Sequence, residues 1–375
     1  MTEIIIAGDM SPRDRVARLF DESRYADVLE ESKSVIGHSD YAIVNLECPI
    51  VEGAGEPIKK TGPHLRCNNS VAEALKYAGF NCVTLANNHL CDYGEAAVLN
   101  TLKELDTHTI DHVGAGSNLS EAQQTLYTKI GDETFAFINC CEHEFCIATD
   151  NSAGCNPLDA ISQYNAIQEA RLKAGKVIVI VHGGVEYYQL PTPRMVRTYR
   201  FFIDAGADAV INHHQHCFSG YEFYKEKPIV YGLGNFCFDR ETKKESVWFE
   251  GYIAKLQFDK NKISLTPIPY LQCNATPAVQ FKAADQTAFH KRLKELCDII
   301  SDNHKLTDEY NKLLEKTWKS YDMINPYANR YLSWLYRKGL LPSLMPQTRF
   351  HRILNAIRCE SHLERLLHAL SKRAK

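Results

Sequence analysis

INHHQHCF, residues 211–218, places three histidines within four positions, directly after the apolar run Ala209-Val210-Ile211. A short apolar run of this kind is typical of a buried strand. If the backbone stays extended beyond the run, His214 and His216 point to the same side, because side chains alternate along a strand. His213 would then point away, and we interpret it as a structural residue. The stretch therefore predicts a strand that delivers two imidazoles to one place.

The same arrangement recurs along the first 240 residues. Four further strand-like segments end in oxygen or imidazole donors: Asp9 after EIIIAG, Glu47 after YAIVNL, Asn88 with His89 after the strand at 81–86, and His182 in KVIVIVH. Helical segments separate these strands, which indicates parallel strands joined by crossover helices. The carboxyl ends of such strands form ligand sites at one edge of the sheet. We therefore expect the donors to converge.

A shared cluster of carboxylate, amide and imidazole groups suggests a metal site. Taken singly, the donors have ordinary explanations, since Asp9 could cap a helix and Asn88 could shape a turn. Taken together, they suit divalent cations such as Mn, Fe or Zn. Two ions about 3.5–4 Å apart would need a carboxylate able to bridge them. The pattern predicts one or two divalent ions without identifying the metal.

Seven ordered motifs resemble those of a known family. They are GD at 8–9, NLE at 45–47, LANNHLCDYG at 85–94, GAG at 114–116, HGGVEY at 182–187, DAGADAVINHHQH at 204–216 and YGLGNFCFD at 231–239. In this order they resemble the bacterial capsule-synthesis CapA family, which is associated with poly-γ-glutamate production and belongs to the calcineurin-like metallophosphoesterase superfamily. The resemblance covers about residues 3–240 and does not extend into the helical tail.

The resemblance implies an α/β fold, a four-layer αββα sandwich, with a dimetal centre at the strand ends. The implied ligands form two sets with one shared residue: Asp9 and His216 for one ion, Asn88, His182 and His214 for the other, and Glu47 as the bridge. The superfamily pattern has a histidine two residues after its first aspartate, but Ser11 stands at that position here. One metal position would therefore have a ligand fewer.

Residues beside the implied ligands are candidates for the remaining chemistry. A water activated by the metals would attack phosphorus or a carbonyl carbon, with His89 as general acid for the leaving group. Asp92 would fix the tautomer of His89 or, alternatively, cap the following helix. Lys60 and Arg66 could bind a phosphate or γ-carboxylate, and Glu186 could orient a substrate amine. Solvated surface charges are the alternative for these three.

Two other motifs are interpreted as structural. CCEHEFC (140–146) lacks a second ligand cluster at zinc-site spacing, so buried hairpin cysteines are favoured. GAGS (114–117) is typical turn chemistry.

Composition excludes several classes of protein. The 375 residues are 45% hydrophobic and 24% charged, as in ordinary globular proteins. A net charge of −3 and the absence of a basic stripe argue against a nucleic-acid partner. The 13 cysteines and the lack of a signal-peptide or membrane-span pattern predict a cytoplasmic protein.

The chain is predicted to contain two domains, a CapA-like metallophosphoesterase domain at 1–275 and a helical C-terminal extension at 285–375. From Asn325 onward there are ten Lys or Arg against two Glu, and the last helix is predicted to carry one apolar face over 350–370. The basic tail could pack on the catalytic domain, contact an anionic membrane surface or synthesis complex, or form an oligomer interface.

Three functions remain for this sequence. The first is a metal-dependent hydrolase of a phosphoester or amide in capsule, poly-γ-glutamate or other cell-envelope polymer metabolism, acting on an anionic small molecule or polymer. The second is a non-catalytic assembly factor of a synthesis complex with a structural metal centre. A nucleic-acid phosphodiesterase ranks last, because the catalytic region has no basic stripe.

Overall fold

The computed structural model describes residues 1–240, 246–259, 262–317, 330–338, 340–342 and 346–373. The chain divides into two compact units, one formed by Met1–Ile58 and His64–Thr307, the other by Lys59–Pro63 and Asp308–Lys375. The described strands all belong to the first unit.

Two main sheets form the first unit. The larger has, in spatial order, β16 (Val279–Gln280), β15 (Lys262–Gln272), β14 (Glu250–Asp259), β1 (Thr2–Met10), β2 (Tyr41–Leu46), β3 (Cys82–Thr84) and β4 (Asp111–Val113), with β13 (Asn235–Cys237) also paired to β1. The smaller has β11 (Tyr221–Tyr224), β12 (Lys227–Val230), β10 (Ala209–His213), β9 (Lys176–His182), β7 (Glu133–Cys141) and β6 (Leu126–Ile130). A two-stranded sheet joins β5 (Ala115–Gly116) to β8 (Gly154–Cys155).

The site-bearing strands are parallel within each sheet. In the larger sheet β1, β2, β3 and β4 are parallel, and in the smaller sheet β7, β9, β10 and β12 are parallel. β6 and β7 form an antiparallel hairpin. The parallel register places the carboxyl ends of β1, β2 and β3, and of β9 and β10, at one edge of their respective sheets.

Helices connect and cover these strands. They are α1 (Asp14–Asp21), α2 (Ala26–Ile36), α3 (Ser70–Ala78), α4 (Gly94–Thr107), α5 (Leu119–Ala122), α6 (Ala160–Lys173), α7 (Pro193–Asp204), α8 (Ser246–Phe249), α9 (Gln286–Ile300), α10 (Asn303–Thr317), α11 (Arg330–Arg337), α12 (Gln347–Arg358) and α13 (Glu360–Arg373). α3 ends at Gly79, which adopts a left-handed φ of 93° as a C-terminal cap. α7 begins after Thr192, whose side chain accepts from the Met195 N–H.

Alternation along β1 shows how the layers stack. Ile4 and Ile6 join a core that also contains residues of the smaller sheet, whereas Ile5 and Ala7 join a core shared with α1–α4. Across the sheet interface, the rings of Tyr41 and Phe137 stack at 5.4 Å. Helices α6 and α7 contribute to the core of the smaller sheet. The predicted four-layer αββα sandwich is confirmed.

Helix α9 belongs to the first unit, although the sequence predicted the helical extension to begin at residue 285. The Phe289 ring packs 5.1 Å from Phe218 and 5.6 Å from Tyr252. Leu293, Leu296 and Ile300 follow on the same buried face. Burial of an aliphatic or aromatic side chain contributes about 1.5–3 kcal/mol, which favours attachment of α9 to the sheets. The division falls after Thr307 instead.

The second unit contains α10 from Asp308 onward, together with α11, α12 and α13. Ala356, Leu366 and Ala369 form a small apolar cluster. The apolar face predicted over 350–370 is not continuous, because Cys359 is extended and separates α12 from α13. Phe350, Ile357 and Leu367 are about half exposed. Residues 325–329, 339, 343–345, 374 and 375 of the predicted basic tail lie outside the described residues.

No helix within the described residues is long and apolar enough to span a bilayer.

Candidate metal centre

Six predicted ligands are buried at the edge where the two sheets meet. Asp9 lies in β1, Glu47 follows β2, Asn88 follows β3, His182 ends β9, and His214 and His216 follow β10; each is 6% exposed or less. Two sets have ligand atoms that all lie within 4.8 Å of one another. We call them the imidazole-rich group (Glu47, His182 and His214) and the carboxylate-rich group (Asp9, Glu47 and His216).

In the imidazole-rich group, three donor atoms surround His182 Nε2. His214 Nδ1 and Asn88 Oδ1 each lie 3.1 Å from it. Glu47 Oε1 lies 3.7 Å from the same nitrogen. The structure thus brings Asn88 to the group in which the sequence resemblance placed it.

In the carboxylate-rich group, His216 lies between two acids. Its Nε2 is 3.6 Å from Glu47 Oε1, and its Nδ1 is 3.6 Å from Asp9 Oδ2. His216 Nδ1 also lies 3.0 Å from Asn235 Oδ1, a residue of β13. Glu47 is therefore common to both groups, which is the location a bridging ligand requires.

A glycine positions Asp9 against β13. The Asp9 N–H donates to Gly234 O at 3.1 Å. A Cβ atom at Gly8 would lie 2.0 Å from that same carbonyl oxygen, so any side chain would separate β1 from β13. The GD motif is thus explained by close approach of two backbones, with the carboxylate placed one residue later.

Glu47 has the burial and the bonding state expected of a metal ligand. Neither of its carboxylate oxygens accepts a hydrogen bond from any residue in the described ranges. Burial, followed by the negative charge of Asp9, raises the pKa of Glu47 well above its usual value. A buried carboxylate without donors is unfavourable unless a cation compensates its charge. The donor set of carboxylates, an amide and imidazoles therefore fits divalent ions.

The pKa shifts of Asp9, His182 and His216 also favour the protonation states that bind metal ions. Burial raises the pKa of Asp9, but the adjacent imidazoles, with His213 the largest contributor, hold it well below the usual value. Burial, and then His214, lowers the pKa of His182 well below its usual value. Burial also lowers the pKa of His216. Asp9 is thus ionised and these two imidazoles are neutral, which are the metal-binding forms.

The backbone after β10 differs from the sequence-based expectation. β10 ends at His213, and the left-handed φ of His214 (89°) and of His216 (54°) shows that the chain turns. The prediction of an extended backbone was wrong, although both imidazoles still reach the cluster. His213 does not point away, since its Nδ1 lies 3.1 Å from Asp9 Oδ1. The tight turn brings all three imidazoles to one side.

His89 and Asp92 form a buried pair beside the cluster. His89 Nδ1 lies 2.6 Å from Asp92 Oδ2, and the same oxygen accepts from the Leu65 N–H at 2.7 Å. Helix α4 has Tyr93 as its N-cap and no side-chain cap, so Asp92 does not cap it. Of the two interpretations of Asp92, the contact with His89 is the one present.

The three predicted substrate contacts have different surroundings. Arg66 donates to Gly53 O at 2.5 Å and to Ala54 O, and its guanidinium lies 5.3 Å from the Tyr93 ring centroid. These contacts engage Arg66 with its own loop rather than leaving it free for an anion. Lys60 belongs to the second unit. Glu186 is exposed. Burial of His216 lowers the pKa of that imidazole, and the negative charge of Glu186 is the next largest influence and raises it.

Sequence reasoning missed Glu144. It follows β7, another parallel strand of the smaller sheet, and its Oε2 accepts from Asn88 Nδ2 at 3.3 Å. The strand-end rule applied to the other ligands would have found it, but CCEHEFC was considered only as a zinc motif. Its three cysteines are buried and free of disulfides, as predicted.

The fold and the site together define an αββα protein with a candidate two-metal centre. The sequence profile described as "Bacterial capsule synthesis protein PGA_cap" matches residues 3–240, about 63% of the chain. The chain belongs to this bacterial capsule synthesis family.

Similar curated proteins carry related names. The capsule biosynthesis protein CapA of Bacillus anthracis is 29% identical over 266 residues, which cover 68% of this chain and 64% of that protein, less than two thirds of its length. The PGA biosynthesis protein CapA of Bacillus subtilis is 28% identical over 295 residues, 77% of each chain. A probable polyglutamine synthesis accessory protein of Mycobacterium tuberculosis is 27% identical and covers 54% of this chain and 57% of its own.

Solved structures show more distant similarity. A putative 5′-nucleotidase from Staphylococcus aureus has a TM-score of 0.47 at 15% identity, covering 78% of this chain and 58% of that one. A hypothetical protein from Thermus thermophilus has a TM-score of 0.46 at 14% identity, covering 72% and 99%.

Proposed function

We propose that this chain is a metal-dependent hydrolase of a phosphoester or amide in capsule, poly-γ-glutamate or other cell-envelope polymer metabolism. The observation that carries the proposal is the sharing of Glu47. This buried carboxylate belongs to both ligand groups and accepts no hydrogen bond within the described residues. Membership of the capsule synthesis family supports the process.

The two groups fit the residues of a dimetal site. Asp9 and His216 would hold one ion, Asn88, His182 and His214 the other, and Glu47 would bridge them. Mn, Fe and Zn all suit this donor set. When bound, such ions would activate water and offset the charge that develops on phosphoryl or acyl oxygens.

His89 would supply the proton that the leaving group needs. Asp92 contacts His89 at Nδ1, so it favours the tautomer with hydrogen on that nitrogen and leaves Nε2 to exchange a proton with substrate. The Leu65 N–H holds the same carboxylate oxygen in place. Because both residues are buried beside the ligand Asn88, they are placed for proton transfer without being ligands themselves.

Charged residues outside the ligand groups would contact the substrate. Glu186 is exposed and electrostatically coupled to His216, so it would orient a positively charged group such as an amine. Of the two basic residues predicted to contact an anionic substrate, Arg66 would first have to leave its loop carbonyls.

The proposed hydrolase activity is tested by two measurements. One is analysis of bound metal, and the other is an assay of phosphodiesterase and amidase activity with added manganese. Wild-type protein should bind manganese and turn over, and His89→Ala should bind manganese without turnover. His112→Ala is the control, because His112 contacts Asp106 of α4 at 3.1 Å and belongs to neither ligand group. Bound metal without His89-dependent turnover on a broad substrate panel would contradict the proposal.

That outcome would favour a second candidate, a non-catalytic assembly factor with a structural metal centre. The name of the M. tuberculosis relative, an accessory protein, is consistent with such a role. Ser11 also favours it, because a serine stands where the superfamily pattern has a histidine, and its buried Oγ has no hydrogen-bond partner in the described part of the chain.

A further inference from the structure

Asn45 contacts one ligand from each group. It lies in β2, two residues before Glu47, and is 1% exposed. Its Nδ2 donates to Asp9 Oδ1 at 2.8 Å and lies 3.3 Å from His182 Nδ1. Asp9 belongs to the larger sheet and His182 to the smaller one. A single amide therefore spans the place where the two sheets meet.

The orientation of this amide is fixed by its neighbours. The amide nitrogen of Asn45 faces Asp9 Oδ1, which accepts its hydrogen bond. On the opposite side, Asn45 Oδ1 accepts from Thr84 Oγ1 at 3.2 Å and from Asn87 Nδ2 at 3.5 Å. Both donors belong to β3 or the loop that follows it. Asn45 is thus held from one side and holds Asp9 from the other.

We propose that Asn45 is a positioning residue that sets the spacing of the two ions. This inference rests on the proposed metal centre. A shift of Asp9 relative to His182 would change the distance between the two ligand groups that share Glu47, and so the spacing of any ions held there. Outer residues that orient metal ligands typically change metal affinity 10–100-fold when removed.

Asn45 differs in this respect from other buried asparagines. Asn156 is 2% exposed, donates from Nδ2 to Asn139 O at 2.8 Å, and accepts from Gln163 Nε2 at 3.2 Å. Those partners are not candidate ligands. Removal of the Asn156 amide therefore matches the loss of burial and hydrogen bonding in Asn45→Ala while leaving the ligand contacts intact.

The test compares Asn45→Ala with Asn156→Ala and wild type by manganese titration calorimetry and electron paramagnetic resonance. Wild type and Asn156→Ala should show the exchange-coupled signal of two neighbouring Mn²⁺ ions. Asn45→Ala should weaken the affinity of at least one ion by about 10–100-fold and replace the coupled signal with that of isolated ions. Native affinity together with an unchanged coupled signal in Asn45→Ala would overturn the role of Asn45.

Two further results keep the inference separate from the proposed function. Wild-type protein that binds no manganese would overturn the metal centre, and the role of Asn45 with it. If Asn45→Ala does not fold, Thr84→Val tests the same role, because it removes one donor to Asn45 Oδ1 and keeps the amide. Thr84→Val should weaken the coupled signal, and a signal identical to that of wild type would count against the inference.

Discussion

The His214 N–H donates to Asp9 Oδ2 at 3.1 Å, joining two candidate ligands that lie 205 residues apart in the chain. Asp9 belongs to β1 of the larger sheet, and His214 follows β10 of the smaller sheet. The candidate metal centre therefore forms only when both sheets have packed together. Metal binding is consequently a measure of the native arrangement, and the following predictions use it.

Loss of one imidazole should remove one ion. His182 belongs only to the imidazole-rich group and His216 only to the carboxylate-rich group. We expect His182→Ala and His216→Ala each to lower the manganese content by about one ion relative to wild type, as measured by elemental analysis after dialysis. His112→Ala should leave the content unchanged. Unaltered metal content in both ligand variants would contradict the assignment of the two groups.

Glu47 should lower the stability of the metal-free protein. Its pKa is higher in the folded than in the unfolded state, so its contribution to stability is present below about pH 4.5 and is lost as pH rises through the folded pKa. In chelator near neutral pH, Glu47→Gln should therefore raise the free energy of unfolding by about 1–3 kcal/mol. The difference from wild type should disappear in acid, and denaturant unfolding at several pH values measures it.

Asp208→Asn is the matched control for this stability effect. Asp208 is also buried, but it accepts from the Val177 N–H at 2.9 Å and from Arg171 at 2.6 Å. Its replacement should lower stability in the same titration. A Glu47→Gln protein that is less stable than wild type in chelator would contradict the prediction, as would manganese stabilisation of that variant equal to that of wild type.

Replacement of Asp92 should impair turnover while metal content is retained. Asp92→Ala removes the oxygen that both contacts His89 Nδ1 and accepts from the Leu65 N–H, so residue 92 no longer favours the His89 tautomer with hydrogen on Nδ1. We expect kcat to fall by about 10²–10⁴-fold, the usual contribution of general acid–base catalysis. Steady-state kinetics with parallel manganese analysis measures this, and wild-type kcat in the variant would exclude the proposed relay.

The C-terminal helices should mediate any contact with anionic lipid. Within the described part of 340–375, Phe350, Ile357 and Leu367 are exposed among basic residues, a combination typical of membrane-surface helices. Vesicles containing phosphatidylglycerol should bind the full chain, and deletion of 340–375 should abolish the binding. High salt and neutral vesicles serve as controls. Absence of binding by the full chain would exclude the lipid contact and leave packing on the catalytic domain, a synthesis complex or an oligomer interface as the alternatives.

Local signals in the sequence predicted much of the fold. β2 has the predicted bounds, because the continuous apolar run YAIVNL ends at Glu47. The strand-end donors also lie together as expected. The four-layer arrangement itself came from the family resemblance, since strand pairing between distant segments leaves no local pattern.

Other features depended on contacts between distant residues. Attachment of α9 to the sheets requires Phe218, which precedes Phe289 by about 70 residues. The turn at His214 and His216 uses left-handed backbone that histidine seldom adopts, so alternation along the strand gave the wrong orientation for His213. The role of Asn45 was hidden because an asparagine in a strand has no motif of its own and is recognisable only from its partners.

The left-handed residues also limit how this loop can be reused in protein engineering. Each carries a backbone cost of about 1–2 kcal/mol, which its surroundings must offset. Asp9 accepts from the His214 N–H. The backbone carbonyls of Tyr188 and Leu190 accept from Gln215 Nε2. If HHQH alone were grafted onto another scaffold, the turn would relax and the imidazoles would no longer lie close together. A successful transplant would have to carry all three segments as one module.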